Sequence, residues 1–231
     1  MLRRAVLIAG AITVAGCYFF EPESPADARP LPVVDTDKAQ TFLIDSARSS
    51  IQLKVYRDGL LQRLGHNHVI VVSQISGKLY RREPVSTSGF DLSFPVAAMI
   101  IDRPADRKRA GADFPGTIPE AHIRGTRENM LGPQMLQAER FPVIELRSLE
   151  AQGRYPRLTW RVAVKVRDQI AEISLPVSVQ ASGGQLIAQG AARLSQAALG
   201  LKPFCVLAGK LCVRDEIDAE FYLVAVSAPA D

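Results

Sequence analysis

From residue 41 to residue 228 one pattern recurs, with an apolar side chain at every second position. Ile51, Leu53 and Val55 alternate with Gln52, Lys54 and Tyr56, and Phe90, Leu92 and Phe94 alternate with Asp91 and Ser93. Leu158, Trp160, Val162, Val164 and Val166 form a longer run of the same kind. So do Ile173, Leu175, Val177 and Val179, and then Ile217, Ala219, Phe221 and Leu223. Successive side chains of a strand point to opposite faces, so each segment offers one apolar and one wetter face. An antiparallel sheet covered on one side needs strands of this kind. Glycines at 59, 77, 89, 153, 183, 184 and 200 break the runs into strands. Between Pro104 and Pro142 the alternation stops. Pro119 to Ala138 suits one or two short helices, with Met130, Leu131, Met135 and Leu136 at near-helical spacing and Gly132-Pro133 interrupting them. The expected order is a few strands, a helical insertion, then more strands. A sheet this long with one apolar face does best by closing on itself, which removes its edges. The predicted fold is mainly β, an antiparallel barrel of about eight strands, whose interior is either filled by side chains or holds one small ligand.

The segment before the barrel reads as targeting. Arg3 and Arg4 precede an apolar run, Ala5 to Ala15, that is shorter than the ~20 residues a membrane-crossing helix needs. The run ends in Val14-Ala15-Gly16-Cys17, which resembles the lipobox of bacterial lipoproteins. There the bond before the cysteine is cut and the thiol is acylated. An ordinary signal peptide with an incidental cysteine is the simpler alternative. The expected division is a signal peptide over residues 1–16, a lipid on Cys17 with a proline-rich tether to residue 40, and the barrel over residues 41–228. Tyr18 follows the cysteine where inner-membrane retention is marked by Asp, so the resemblance favours the outer membrane, with the domain facing the periplasm. Without residues 1–16 the chain has 26 basic residues against 24 acidic ones, a net charge of +2. That is too little for a nucleic-acid footprint. Arg103, Arg107, Lys108 and Arg109 form one dense cluster, but Asp102, Asp106 and Asp113 interleave it, as expected of a solvated loop or helix end.

Few residues here carry reactive chemistry. The three histidines are His66, His68 and His122. On a strand His66 and His68 project to the same side, and with His122 they offer three nitrogens to zinc or copper. The alternative is two turn or strand-end histidines bonded to backbone and an unrelated His122. No nucleophile elbow, zincin motif or phosphate loop is present, and no cofactor is implied. Apart from Cys17 the only cysteines are Cys205 and Cys212. They flank Gly209 in a hairpin-like stretch, and in an oxidising compartment they are expected to form a disulfide that pins the loop closing one end of the barrel. Buried free thiols or metal ligands are the other possibilities.

Several motifs in order resemble the YceI-like family, lipocalin-like barrels associated with polyisoprenoid binding. Phe42-Leu43-Ile44-Asp45 with Ser49-Ser50-Ile51 is similar to the family's opening strand pair, and Ser76-Gly77-Lys78-Leu79 to its glycine-marked strand. Met130-Leu131-Gly132 through Phe141-Pro142-Val143-Ile144 resembles its helix-to-strand step. Leu199-Gly200-Leu201-Lys202-Pro203 with Val213-Arg214-Asp215-Glu216-Ile217 resembles its closing hairpin. Asp168-Gln169-Ile170-Ala171 replaces the family's usual Gly-x-Thr-Lys turn, and Gly65-His66-Asn67-His68 departs from a stretch that usually bears phenylalanine, which marks a divergent subgroup. The resemblance implies an elongated apolar cavity for an isoprenoid or acyl chain, without catalysis. Burying such a chain gains ~0.8 kcal/mol per CH₂, so no reactive group is required. Phe94, Trp160, Val164 and Phe221 are the candidate lining residues, unless they simply fill a solid core.

Overall fold

The computed structural model describes residues 30–228. It is a closed antiparallel β-barrel with two short helices; eleven of its twelve strand segments make eight staves, and the twelfth, β11, pairs only with β12. Three of these staves are bent. β1 (Gln40–Ile44) and β2 (Ser50–Asp58) are the two halves of one, broken by a 3₁₀ turn at Ser46–Arg48. β3 (His68–Val72) and β4 (Ser76–Arg81) make the second, and β5 (Gly89–Pro95) and β6 (Ile100–Ile101) the third. The helices α1 (Pro104–Ala110) and α2 (Glu120–Leu131) follow. After them come the long strands β7 (Val143–Arg154), β8 (Arg157–Val166), β9 (Gln169–Ser182) and β10 (Gln185–Ser195). A short β11 (Cys205–Val206) then turns into β12 (Leu211–Ser227).

Each stave pairs with the next, and β12 closes the ring. It pairs with β10 along Gln185↔Val226 to Ser195↔Glu216, with β1 at Phe42↔Ser227, and with β2 as far as Cys212↔Asp58. The chain therefore enters the wall at one end, called here the proximal end, where Gln40 pairs with Arg81. The β2–β3 loop and the β11–β12 hairpin stand at the distal end. Residues 30–228 contain every strand needed for closure, so no edge of the barrel waits on another segment.

The alternation decides which face turns inward. Phe90, Leu92, Phe94, Leu158, Trp160, Val162, Val164, Val166, Val177 and Leu223 are buried in one core cluster, while Asp91, Thr159, Arg161 and Glu172 face outward. Gly77, with φ +139°, lets two staves cross closely, because a Cβ there would lie 2.1 Å from the carbonyl oxygen of Asp91.

Two expectations are corrected. The Arg/Asp cluster at 102–109 is not uniformly solvated: α1 carries Arg109 outward, but Asp102, Asp106 and Arg107 are buried. The cost of burying them is met by pairing, as described below. The segment expected as a tether through residue 40 is packed before that point. Leu31 is buried, Asp35 pairs with Arg82, and Arg147 donates to the Pro32 carbonyl at 3.3 Å. One apolar side chain and two arginine contacts are enough to hold this stretch against the wall. Cys17 and the segment expected as a signal peptide lie outside the described residues. No helix among the described residues is long and apolar enough to cross a membrane.

Candidate functional site

The barrel is hollow, and the reason lies in its small inward residues. β10 turns Ala188 toward the axis and β12 turns Ala219, and both border the lumen. Large side chains at these places would fill the lumen. Instead two adjacent lobes remain. The proximal lobe, about 200 Å³, is bounded by Leu79, Tyr80, Phe90, Phe94, Leu158, Trp160, Val164, Leu175, Val179, Ala188, Phe221 and Leu223. The distal lobe, about 280 Å³, is bounded by Val55, His66, His68, Ile70, Met130, Met135, Leu136, Phe204, Val206, Leu211 and Ile217. Leu53, Met99, Ile144, Val166, Leu194 and Leu199 border both. Together the lobes fall in the range of ~300–1,000 Å³ typical of small-molecule sites.

All four candidate lining residues, Phe94, Trp160, Val164 and Phe221, border the proximal lobe. Trp160 is fixed edge-on to Phe90, ring centroids 5.3 Å apart. Phe221 lies across Gly190, its cross-strand partner. Of the polar side chains bordering this lobe, Arg81 lies over the ring of Tyr155, and Tyr80 and Ser88 are hydrogen-bonded. The Tyr80 hydroxyl donates to Asp91 at 2.7 Å, and burial, with that carboxylate beside it, pushes its pKa up to about 12. Ser88 is bonded to the backbone of Arg82. A guest here meets hydrocarbon and aromatic carbon, with little that would select a polar head group.

The distal lobe is more mixed, and the histidines stand at its rim. Nε2 of His66 and Nδ1 of His122 are 3.2 Å apart, which joins the β2–β3 loop to the first turn of α2. Burial, then the charges of His68 and His122, hold the His66 pKa below its ordinary value. His68 pairs through Nδ1 with Asp102 at 2.5 Å. Asp102 also accepts from the Val69 N–H at 2.9 Å and from Arg107 at 2.6 Å. Burial is the largest influence on Asp102 and pushes its pKa up, yet the hydrogen bonds and charges of these partners outweigh it and leave the pKa lowered. Arg107 donates in addition to the carbonyls of Asn67, Pro115 and Gly116. The network is thus a buried plug that ties α1 to β3 beside the lobe.

The structure brings the three histidines near one another, but His68 is committed to Asp102 and the other two to each other. Among the described residues no group of three or more His, Cys, Asp or Glu converges where a metal ion could sit. Cys205 and Cys212 form a disulfide across the first pair of the β11–β12 hairpin, Cα atoms 4.1 Å apart. Cys212 borders the distal lobe, so the bridge does clasp a loop at one end of the barrel.

The sequence pointed to the rim histidines but not to the plug. Asp102 and Arg107 stand five positions apart in a charge cluster, and only the turn into α1 lets them meet. The small residues on β10 were the unread sign of a hollow interior.

No protein-family model and no curated protein matches this sequence. Solved structures do match the fold. The crystal structure of BcnA from Burkholderia cenocepacia is similar with a TM-score of 0.58 at 12% identity, over 79% of this chain and 99% of that one. A polyisoprenoid binding domain from Saccharophagus degradans, implicated in plant cell wall breakdown, is similar with a TM-score of 0.51 at 10% identity, over 82% of this chain and 99% of that one. A Campylobacter jejuni YCEI protein covers 68% of this chain with a TM-score of 0.48 at 8% identity. At these identities the first two likenesses establish a shared barrel fold.

Proposed function

We propose that the barrel binds a hydrophobic small molecule, an isoprenoid or acyl chain, in its interior and carries it at the cell envelope as a divergent YceI-like protein. The observation behind this reading is the two-lobed apolar lumen, with the small Ala188 and Ala219 on adjacent strands lining its proximal lobe. A chain threaded through both lobes leaves water along its whole buried length, at ~0.8 kcal/mol per CH₂. The name of the Saccharophagus degradans domain, together with the shared fold, supports the same ligand class. The role needs no reacting group and no cofactor, and the proposed function is non-catalytic.

We further propose that Cys17 carries the lipid anchor and that the domain faces the periplasm, more readily from the outer than the inner membrane. The lipobox resemblance supports this, and so does the disulfide, since such bonds persist in oxidising compartments. Native mass spectrometry of the protein purified from cells tests the cargo: a co-purifying prenyl or acyl species is expected, and an empty barrel or a bound metal instead would overturn the reading. For the anchor, Cys17→Ser should release the protein from membranes and stop its maturation. Unchanged processing with tight membrane association would count against the lipid.

A further inference from the structure

Of the nine large apolar side chains exposed among the described residues, four stand together on two neighbouring segments. Leu60 is 89% exposed, Leu64 67%, Leu207 53% and Val206 40%, and all four stand at the distal end. They belong to two segments held side by side, the β2–β3 loop and the β11–β12 hairpin. The Leu61 N–H donates to the Lys210 carbonyl at 2.8 Å, Asp58 pairs with Cys212, and Gly65 packs against the Leu211 side chain. Single exposed leucines are ordinary, whereas a cluster of them marks a contact surface.

Two further features say what covers it. Over residues 58–65 and 202–210 the charges are Arg63, Lys202 and Lys210 against Asp58 alone, all four exposed. These two segments therefore combine exposed apolar side chains with a net positive charge. The patch also runs inward without a break: Val206 is exposed, yet it borders the distal lobe together with Leu211 and Phe204. Exposed leucines on segments of net positive charge suit the boundary of an anionic bilayer, where apolar groups enter the acyl region and Lys/Arg meet the head groups.

We propose that the distal end is a membrane-docking tip, in which Leu60, Leu64, Val206 and Leu207 enter the surface of a bilayer bearing anionic lipids. Docking brings the distal lobe against lipid, so a hydrophobic guest crosses between bilayer and lumen with little exposure to water. The polypeptide enters the barrel at the opposite end, beside Arg81 and Ser227, so the tip acts independently of any attachment at Cys17.

The test uses residues 30–228, which hold every strand of the closed barrel and whose folding circular dichroism checks first, and vesicles of phosphatidylcholine with or without phosphatidylglycerol. The barrel is expected to sediment with the anionic vesicles and to be released by salt. Leu60→Asp with Leu64→Asp should weaken binding by at least about tenfold, as loss of buried leucine implies. Arg63→Glu with Lys210→Glu should abolish the preference for phosphatidylglycerol. Absence of binding at every composition, or binding that ignores both pairs of changes, overturns the proposal. So does a concentration-dependent dimer that these changes dissolve while vesicles bind nothing, since the patch is then a contact between proteins. Cargo retained in the lumen of the tip variants, read by native mass spectrometry, separates failure of the tip from failure of the carrier reading.

Discussion

His66 and His122 face each other nitrogen to nitrogen, 3.2 Å apart, and this contact clips α2 over the distal lobe. One ring must accept while the other donates, so the clip needs at least one neutral imidazole. The folded-state pKa of His66 is lowered, through burial first and then the charges of His68 and His122. The unfolded value is ~6.5. Below it the unfolded chain takes up the proton first, so the stability this group contributes is present above ~6.5 and is lost as pH falls through the folded pKa. Urea titrations from neutral pH downward should show stability falling across that window, with a shallower fall in His66→Gln. Equal slopes in both proteins would remove His66 from the account.

The bond between Asp102 and Arg107 is the buried ion pair at the centre of the distal plug. Removing one partner of such a pair leaves an uncompensated charge, at a cost of ~3–5 kcal/mol. Asp102→Ala should reach that range in chemical denaturation. Asp102→Asn should cost less, because an amide still accepts hydrogen bonds and asparagine tolerates the positive φ of 54° found there. An alanine variant as stable as the parent would mean that water replaces the carboxylate.

Phe221 occupies the space a side chain at position 190 would need. A Cβ on Gly190 would stand 2.7 Å from the phenyl ring and 2.3 Å from the Pro176 carbonyl oxygen. Gly190→Ala should destabilise by ~1–3 kcal/mol, as overpacking does. Adding Phe221→Leu should recover part of the loss, because only the ring, and not the carbonyl, can give way. A double-mutant cycle measures the coupling, and strictly additive costs would show that the two positions do not share the space.

Trp160 and Ala188 border the same lobe and should respond in opposite ways. Trp160→Ala enlarges the lumen and removes a buried indole, for a loss of ~3–5 kcal/mol and altered lipid retention. Ala188→Phe places a ring in the lumen and should exclude the guest while the barrel remains folded. Circular dichroism checks the fold and extraction of bound lipid checks the cargo. Full retention of lipid in a folded Ala188→Phe variant would move the binding site elsewhere.

The disulfide closes a loop of seven residues' separation. A ring this small restrains the unfolded chain only modestly, so Cys205→Ser with Cys212→Ser should cost ~2–3 kcal/mol at most. Its larger effect is expected on the hairpin bordering the distal lobe, read as faster amide exchange there. Two alkylatable thiols in protein made in the periplasm would show that the bridge does not form in cells.

The sequence alone determined the staves and their inward faces, because period-two alternation is a local property that any strand with one covered side must obey. It also placed the helical insertion between Pro104 and Pro142, since proline and the lapse of alternation act within a few residues. Phe94, Trp160, Val164 and Phe221 could be assigned to the interior for the same reason. Whether that interior was hollow depended on which inward residues meet across the axis. Ala188 and Ala219 make space only because β10 and β12 are neighbours facing Trp160 and Leu175. The distal plug, the His66–His122 clip and the leucine tip likewise join segments far apart in the chain. Closure of the barrel brings Leu60 and Leu207 to one end, and no local pattern carries that information, because the meeting is made by long-range strand pairing.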